Sequence, residues 1–320
     1  MMPLKMLQIT APVAAEENIR KLVSQESVIS FHKGVDLEED HAVFFLLTRA
    51  ENRQVVVDKL HSLVKTSEKA RINIIPVDAT LPAVETKVSG DTREELYQKI
   101  GQGARLDFTY MLLTFLSTIV ALIGLIQDNV AVVVGAMVIA PFLGPNLAFA
   151  FATSQADKSL MGQSFVTGVV GLSFTILISA VFGYVFEVAP ESTELTSRTV
   201  VGLSSVALAV ASGVAGVLSL TTGLSMTLVG VMVAVALLPP AATFGFMLGL
   251  EDWKAAYGAV LLLSVNIVCV NLSGLIVFLA KGITPRMWFE RRMAKPYVIS
   301  GIIIWSLALV FLMGLIAKFY

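Results

Sequence analysis

The chain has 320 residues, 56% of them hydrophobic, with a mean hydropathy of +0.79 and a formal net charge of −1. Soluble domains run to about 45–50% apolar residues, so this composition excludes a wholly soluble protein. The near-zero charge argues against a nucleic-acid partner, and a single cysteine, Cys269, excludes an intrachain disulfide.

Charge is unevenly spread. Residues 1–107 hold 14 Lys/Arg and 16 Asp/Glu, which is 30 of the 47 charged residues. A polar N-terminal domain (1–90), an amphipathic linker helix (91–107) and a membrane domain (108–320) are expected. The N-terminus patterns as strand and helix, not as a basic region followed by an apolar one, so no cleaved leader is expected.

Lys5 to Pro12 holds a short apolar run, and Ile19, Leu22 and Val23 then recur at helical spacing. Val28–Val35 and His41–Thr48 flank the acidic turn Asp36–Asp40 and predict a hairpin. Asn52 suits a helix cap, with Val55, Val56, Leu60, Leu63 and Val64 as the apolar stripe, and Arg71–Val77 predicts a last strand. The order is βαββαβ, a ferredoxin-like unit of α+β class. By analogy of fold alone it regulates or assembles the protein, as a cytoplasmic domain of a homo-oligomer. His32 and His41 flank the hairpin and read either as a metal pair or as two solvated strand-end residues. No Cys or carboxylate completes a ligand set, so neither a metal nor a cofactor is expected.

Leu81–Gly90 reads as a loop. Thr92 and Glu95 fit a capping box, and Leu96 and Ile100 share a face of the helix that follows. That helix reads either as lying on the membrane surface or as a solvated connector.

Seven apolar segments come next, near 108–126, 129–152, 160–186, 199–220, 225–250, 255–280 and 297–317. A span needs about 20 residues, so the class is an α-helical polytopic membrane protein of about seven spans. The basic loop Lys281–Lys295 is cytoplasmic by the positive-inside rule, which puts the N-terminus inside and the C-terminus outside.

Two of these segments carry prolines at matching places. A shift of 95 aligns Gly135 with Gly230, Pro145 with Pro240, Phe149 with Phe244, Phe151 with Phe246 and Asp157 with Asp252. Three spans per unit (about 108–188 and 199–280) make the second copy inverted, with the last span outside the duplication. Proline removes a backbone donor, and in lipid such a break survives only beside protein or a wet cavity. Gly135, Pro141, Gly144, Pro145, Gly230, Pro239 and Pro240 are therefore expected to shape two helix breaks. Asn146, as cap of the second half-helix, and Thr243 are expected to contact a solute.

No Asp, Glu, Lys, Arg or His falls inside a span, which disfavours a proton relay and leaves an intramembrane hydrolase without its groups. Neutral polar residues remain: Asn129, Asn146, Ser204, Ser205, Ser212, Thr243, Asn266 and Asn271. They suit a small polar or anionic solute, or an ion on a carbonyl-lined path, and equally suit interhelical hydrogen bonding. Gly245–Gly249 forms a GxxxG pattern that permits close helix approach within or between chains. The expected function is a non-enzymatic transporter or channel. The alternative is a non-transporting membrane sensor or scaffold.

Gly135-Ala136-Met137, followed by Pro141-Phe142-Leu143-Gly144-Pro145 and later by Leu237-Leu238-Pro239-Pro240, resembles the signature of a prokaryotic family of conserved hydrophobic membrane proteins. That family is catalogued as domain-of-unknown-function family 389. The resemblance covers about residues 107–280. It implies a prokaryotic inner-membrane protein and supplies no substrate.

Overall fold

The computed structural model describes residues 4–25, 28–37, 40–48, 53–64, 69–77, 93–186, 191–222, 226–283 and 288–319. The chain divides into two compact units, Met1–Glu95 and Leu96–Tyr320.

In the first unit β1 (Leu4–Pro12), α1 (Glu16–Gln25), β2 (Val28–Leu37), β3 (His41–Thr48), α2 (Arg53–Val64) and β4 (Arg71–Val77) follow in the expected order. They form one antiparallel sheet with strand order β2-β3-β1-β4. Strand alternation puts Leu7, Ile9, Phe44 and Leu46 on one buried face, against Ile19 and Leu22 of α1 and Val56, Val57 and Leu60 of α2. Val55, expected in the stripe, is exposed, because the buried arc of α2 runs one position further on. Asn52 and the Thr92 cap lie outside the described residues, as do the side chains of Leu63 and Val64.

The hairpin does not bring the two histidines opposite each other. His32 is registered with Phe45 and His41 with Leu37. Four positions on one strand separate them by roughly 13 Å at the strand rise. No metal-holding group of three or more ligands occurs among the described residues.

The second unit is helical: α3 (Arg93–Gly103, from Leu96 onward), α4 (Phe108–Ile126), α5 (Val130–Ile139), α6 (Leu143–Gln155), α7 (Lys158–Phe186), α8 (Thr193–Thr196), α9 (Leu203–Thr222), α10 (Met226–Gly249), α11 (Trp253–Ala280) and α12 (Trp288–Phe319). Among the described residues five helices are long and apolar enough to cross a membrane, or six with α5 and α6 counted as one bent span. The outer side of α7 exposes Phe165, Leu177 and Val181, and that of α12 exposes Ile304, Leu307 and Phe311. Apolar faces of that size are lipid- or partner-facing.

Helix starts recur at the sequence shift. α4 begins at Phe108 and α9 at Leu203; α7 begins at Lys158 and α11 at Trp253. The turns before α7 and α11 match in detail. Ala156 and Glu251 both adopt positive φ, 55° and 60°. Asp157 then caps α7 by accepting from the Leu160 N–H at 3.0 Å, and Asp252 caps α11 by accepting from the Ala255 N–H at 3.0 Å. The last span stands outside this pattern and packs on α11 and α6.

The apolar face of α3 is not laid on a surface. Leu96, Ile100 and Ala104 are buried in the core of the helical unit. Gly103 meets Gly144 so closely that a methyl group on either residue would collide with the backbone of the other. The GxxxG pattern also works within the chain: Cβ atoms at Gly245 and Gly249 would meet the carbonyls of Ile176 and Ala180 on α7.

Candidate functional site

The first proline segment is broken, and the chain dictates how. Pro141 has no N–H to give to Met137, so α5 ends at Ile139. Ala140, as a residue before proline, is extended (φ −63°, ψ 128°). Phe142 leads into α6, and the axes of α5 and α6 differ by 54°. Pro145 falls in the first turn of α6, where a missing N–H costs nothing. Asn146 is not the cap expected for it. It sits one turn inside α6, and its Nδ2 donates to the carbonyl of Phe142, four residues back, at 3.0 Å.

The second proline pair does not break its helix. Pro239 and Pro240 lie inside continuous α10. Pro240 leaves the carbonyl of Ala236 without its intrahelical donor, and Asn266 of α11 replaces it: its Nδ2 donates to Ala236 O at 2.7 Å. At the shift of 95, Ala236 falls on Pro141 and Asn266 on Gly171. Each segment carries two prolines, four positions apart in the first (Pro141, Pro145) and adjacent in the second (Pro239, Pro240), and the first lacks the amide that would mend the helix.

The nine expected site residues do not converge on one cavity. Pro141 and Gly144 line a cavity of about 390 Å³, together with Gln102, Gly103, Arg105 and Tyr110. Pro240 lines another of about 240 Å³, with Ser197, Arg198, Ser205, Ala236 and Asn266. Pro145 and Asn146 line a third of about 180 Å³. Gly135 lies on the exposed side of α5 beside Val134 and Val138. Gly230 lies in α10, Pro239 is buried in the same helix, and Thr243 is fully buried with its hydroxyl unpartnered.

The first two cavities are related. Gln102 and Ser197, Gly103 and Arg198, Tyr110 and Ser205, and Pro141 and Ala236 are each 95 positions apart. Each cavity also holds one guanidinium and one carboxylate. Arg105 accompanies Asp107, whose Oδ1 accepts from the Tyr110 N–H at 2.7 Å. Arg198 pairs with Glu194 at 2.6 Å. The net charge of each lining is therefore zero.

Sequence reasoning named Asn266 and Asn271 without their roles. Asn271 reaches across to α6, its Nδ2 donating to Asn146 Oδ1 at 3.3 Å. Arg105 and Arg198 are not among the expected site residues; they stand at span ends, 93 rather than 95 positions apart. Their nearness to the ends of two matching helices was the available signal.

These features define a helical membrane protein with a small N-terminal antiparallel sheet unit. The chain belongs to the family described as a domain of unknown function, family 389, whose model matches residues 137–272. An uncharacterized protein of the archaeon Methanocaldococcus jannaschii is 33% identical over 265 residues, covering 81% of this chain and 82% of the relative. No solved structure matches. The matched family region contains both proline segments together with Asn266 and Asn271.

Proposed function

We propose that the protein is an integral membrane transporter or channel for a small polar or anionic solute, or an ion. The observation that carries this reading is the pair of cavities lined by residues 95 positions apart. One cavity per repeat is what an inverted 3+3 duplication leaves when its two mouths open on opposite sides. The matched helix starts and the twin Asp-capped turns support the duplication. The sheet order β2-β3-β1-β4 supports a ferredoxin-like N-terminal domain, which we assign to regulation or homo-oligomer assembly on the cytoplasmic side of a prokaryotic plasma membrane. In this reading Pro141, Gly144 and Pro240 shape the two mouths. Asn146 and Thr243, buried on the helices that carry the prolines, are the inner polar contacts. The balanced charge of each lining favours a solute that is polar without high charge.

One observation favours the sensor or scaffold instead. Leu237, Leu238, Ala241, Ala242 and Phe246 pack without exposure around the second proline pair, so only Ala236 and Pro240 of that stretch face a cavity. A carrier caught closed has the same packing, and flux separates the two. Reconstituted protein should pass at least one of a panel of small anions, neutral polar solutes and cations across liposomes. Ser205→Trp, which fills one mouth, and Asn146→Leu should each cut that flux by about tenfold or more while the protein stays folded. A folded protein that passes nothing sinks the transport reading, and flux that ignores both changes sinks the assignment of the mouth and of Asn146.

A further inference from the structure

We infer that the third cavity, floored by Asn146 and Asn271, is a binding site for a small uncharged aromatic compound bearing one hydroxyl group. It has a volume of about 180 Å³. A cavity of about 150 Å³ lined by apolar side chains takes up benzene, so this one has room for a single ring with a substituent. Its walls are Pro145 and Phe149 of α6, Phe165 and Leu172 of α7, Ile267 of α11 and Trp305 of α12. Phe149 lies 6.2 Å from Phe165 and 6.1 Å from Trp305, centroid to centroid, the latter edge to face. Three rings around one space favour another ring.

The floor specifies the polar group. Asn271 is 3% exposed, and both of its N–H donors are used, one on Ile267 O at 2.9 Å and one on Asn146 Oδ1. Its own Oδ1 is buried and accepts from nothing. Asn146 spends one N–H on Phe142 O and has a second that no described residue accepts. One vacant acceptor beside one vacant donor suits a hydroxyl, which donates and accepts at once. An anion would face the vacant oxygen, and no charged side chain lines the cavity to offset the burial of either sign.

Access points the same way. Phe165 (59% exposed) and Val169 stand at the mouth on the outer side of α7, the side that faces acyl chains in a bilayer. A compound that partitions into lipid enters there, without passing the two Arg-bearing mouths. The site does not depend on the transport reading, since occupancy is an equilibrium property.

Phenol and toluene are matched probes: one ring each, with and without the hydroxyl. The test uses the full-length protein in detergent micelles, with Trp253→Phe and Trp288→Phe leaving Trp305 as the only tryptophan. Phenol should quench Trp305 saturably, about tenfold more tightly than toluene. Asn271→Leu should bring phenol down to toluene's level. Gly168→Leu, which fills the cavity from the α7 wall, should abolish saturable quenching by both. Lack of saturable quenching by phenol in the parent, or toluene binding as tightly as phenol, overturns the assignment with no variant needed. Undiminished phenol affinity in a folded Asn271→Leu protein overturns it as well.

Discussion

The same proline position has opposite consequences in the two proline segments. Pro145 sits beyond a 54° break between α5 and α6, whereas Pro240, 95 positions later, sits inside an unbroken α10. The difference lies in neighbours rather than in the shared residue. Both segments lose two donors, but in the first Pro141 lies four residues ahead of Pro145, and Gly171, 95 positions before Asn266, has no amide to lend; the site of Gly171 is packed against the Tyr110 hydroxyl instead. In the second, Asn266 supplies the donor that Pro240 lacks. A proline in a membrane helix therefore marks a carbonyl in need of a partner, and the surrounding helices decide whether the helix breaks.

The largest effect should come from the broken segment. Gly144 is held against the backbone of Gly103, so even one methyl group there forces α3 and α6 apart. Gly144→Ala should lower stability by about 1–3 kcal/mol, as overpacking does. Pro239→Ala, 95 positions further on, should be neutral or stabilising, since it restores a helical N–H. Thermal unfolding in micelles measures both. Equal losses at the two positions would end the claim that only Gly144 is clamped by backbone contact.

The carbonyl argument has its own test. Asn266→Ala leaves Ala236 O buried without a donor, for an expected loss of about 1–3 kcal/mol. Pro240→Ala returns the intrahelical N–H, so the double variant should recover most of that loss. A double-mutant cycle with no coupling would show that Asn266 acts elsewhere.

The paired prolines, the shift of 95 and the strand and helix order were legible because each rests on local pattern: missing donors, period-2 alternation and capping residues. The outcome at Pro240 was not, because it turns on which way Asn266 faces, and sequence spacing within α11 says nothing about the rotation of α11 against α10. Asn266 and Asn271, five residues apart, serve α10 and α6 respectively. The cavities were hidden for the same reason, being made of side chains from helices far apart in the chain. Val55 illustrates a smaller limit: a stripe of five apolar residues fits two adjacent arcs of a helix, and packing chooses between them.

The twin turns differ in one respect, and it yields the smallest and most specific effect. Asp157 and Asp252 both cap a helix, but only Asp157 also accepts a hydrogen bond from Tyr97 of α3, at 2.6 Å; the counterpart of Tyr97 is Ser192. Tyr97 packs edge to face on Phe151 as well, so it ties α3 to the far end of α6. The hydrogen bond to Asp157, aided by burial, pushes the Tyr97 phenol up to about 12. A raised phenol favours the protonated form in the fold. Its contribution is complete below the ordinary tyrosine value, about 10, and is lost as the pH rises through 12. The side chain is 44% exposed, so solvent screening keeps the contribution to about 1 kcal/mol or less. Tyr97→Phe should lower the unfolding temperature slightly at pH 8 and flatten its fall between pH 10 and 12 relative to the parent. Parallel pH curves for the two proteins would mean that the tie between α3 and α6 is made by Phe151 and Gly144 alone.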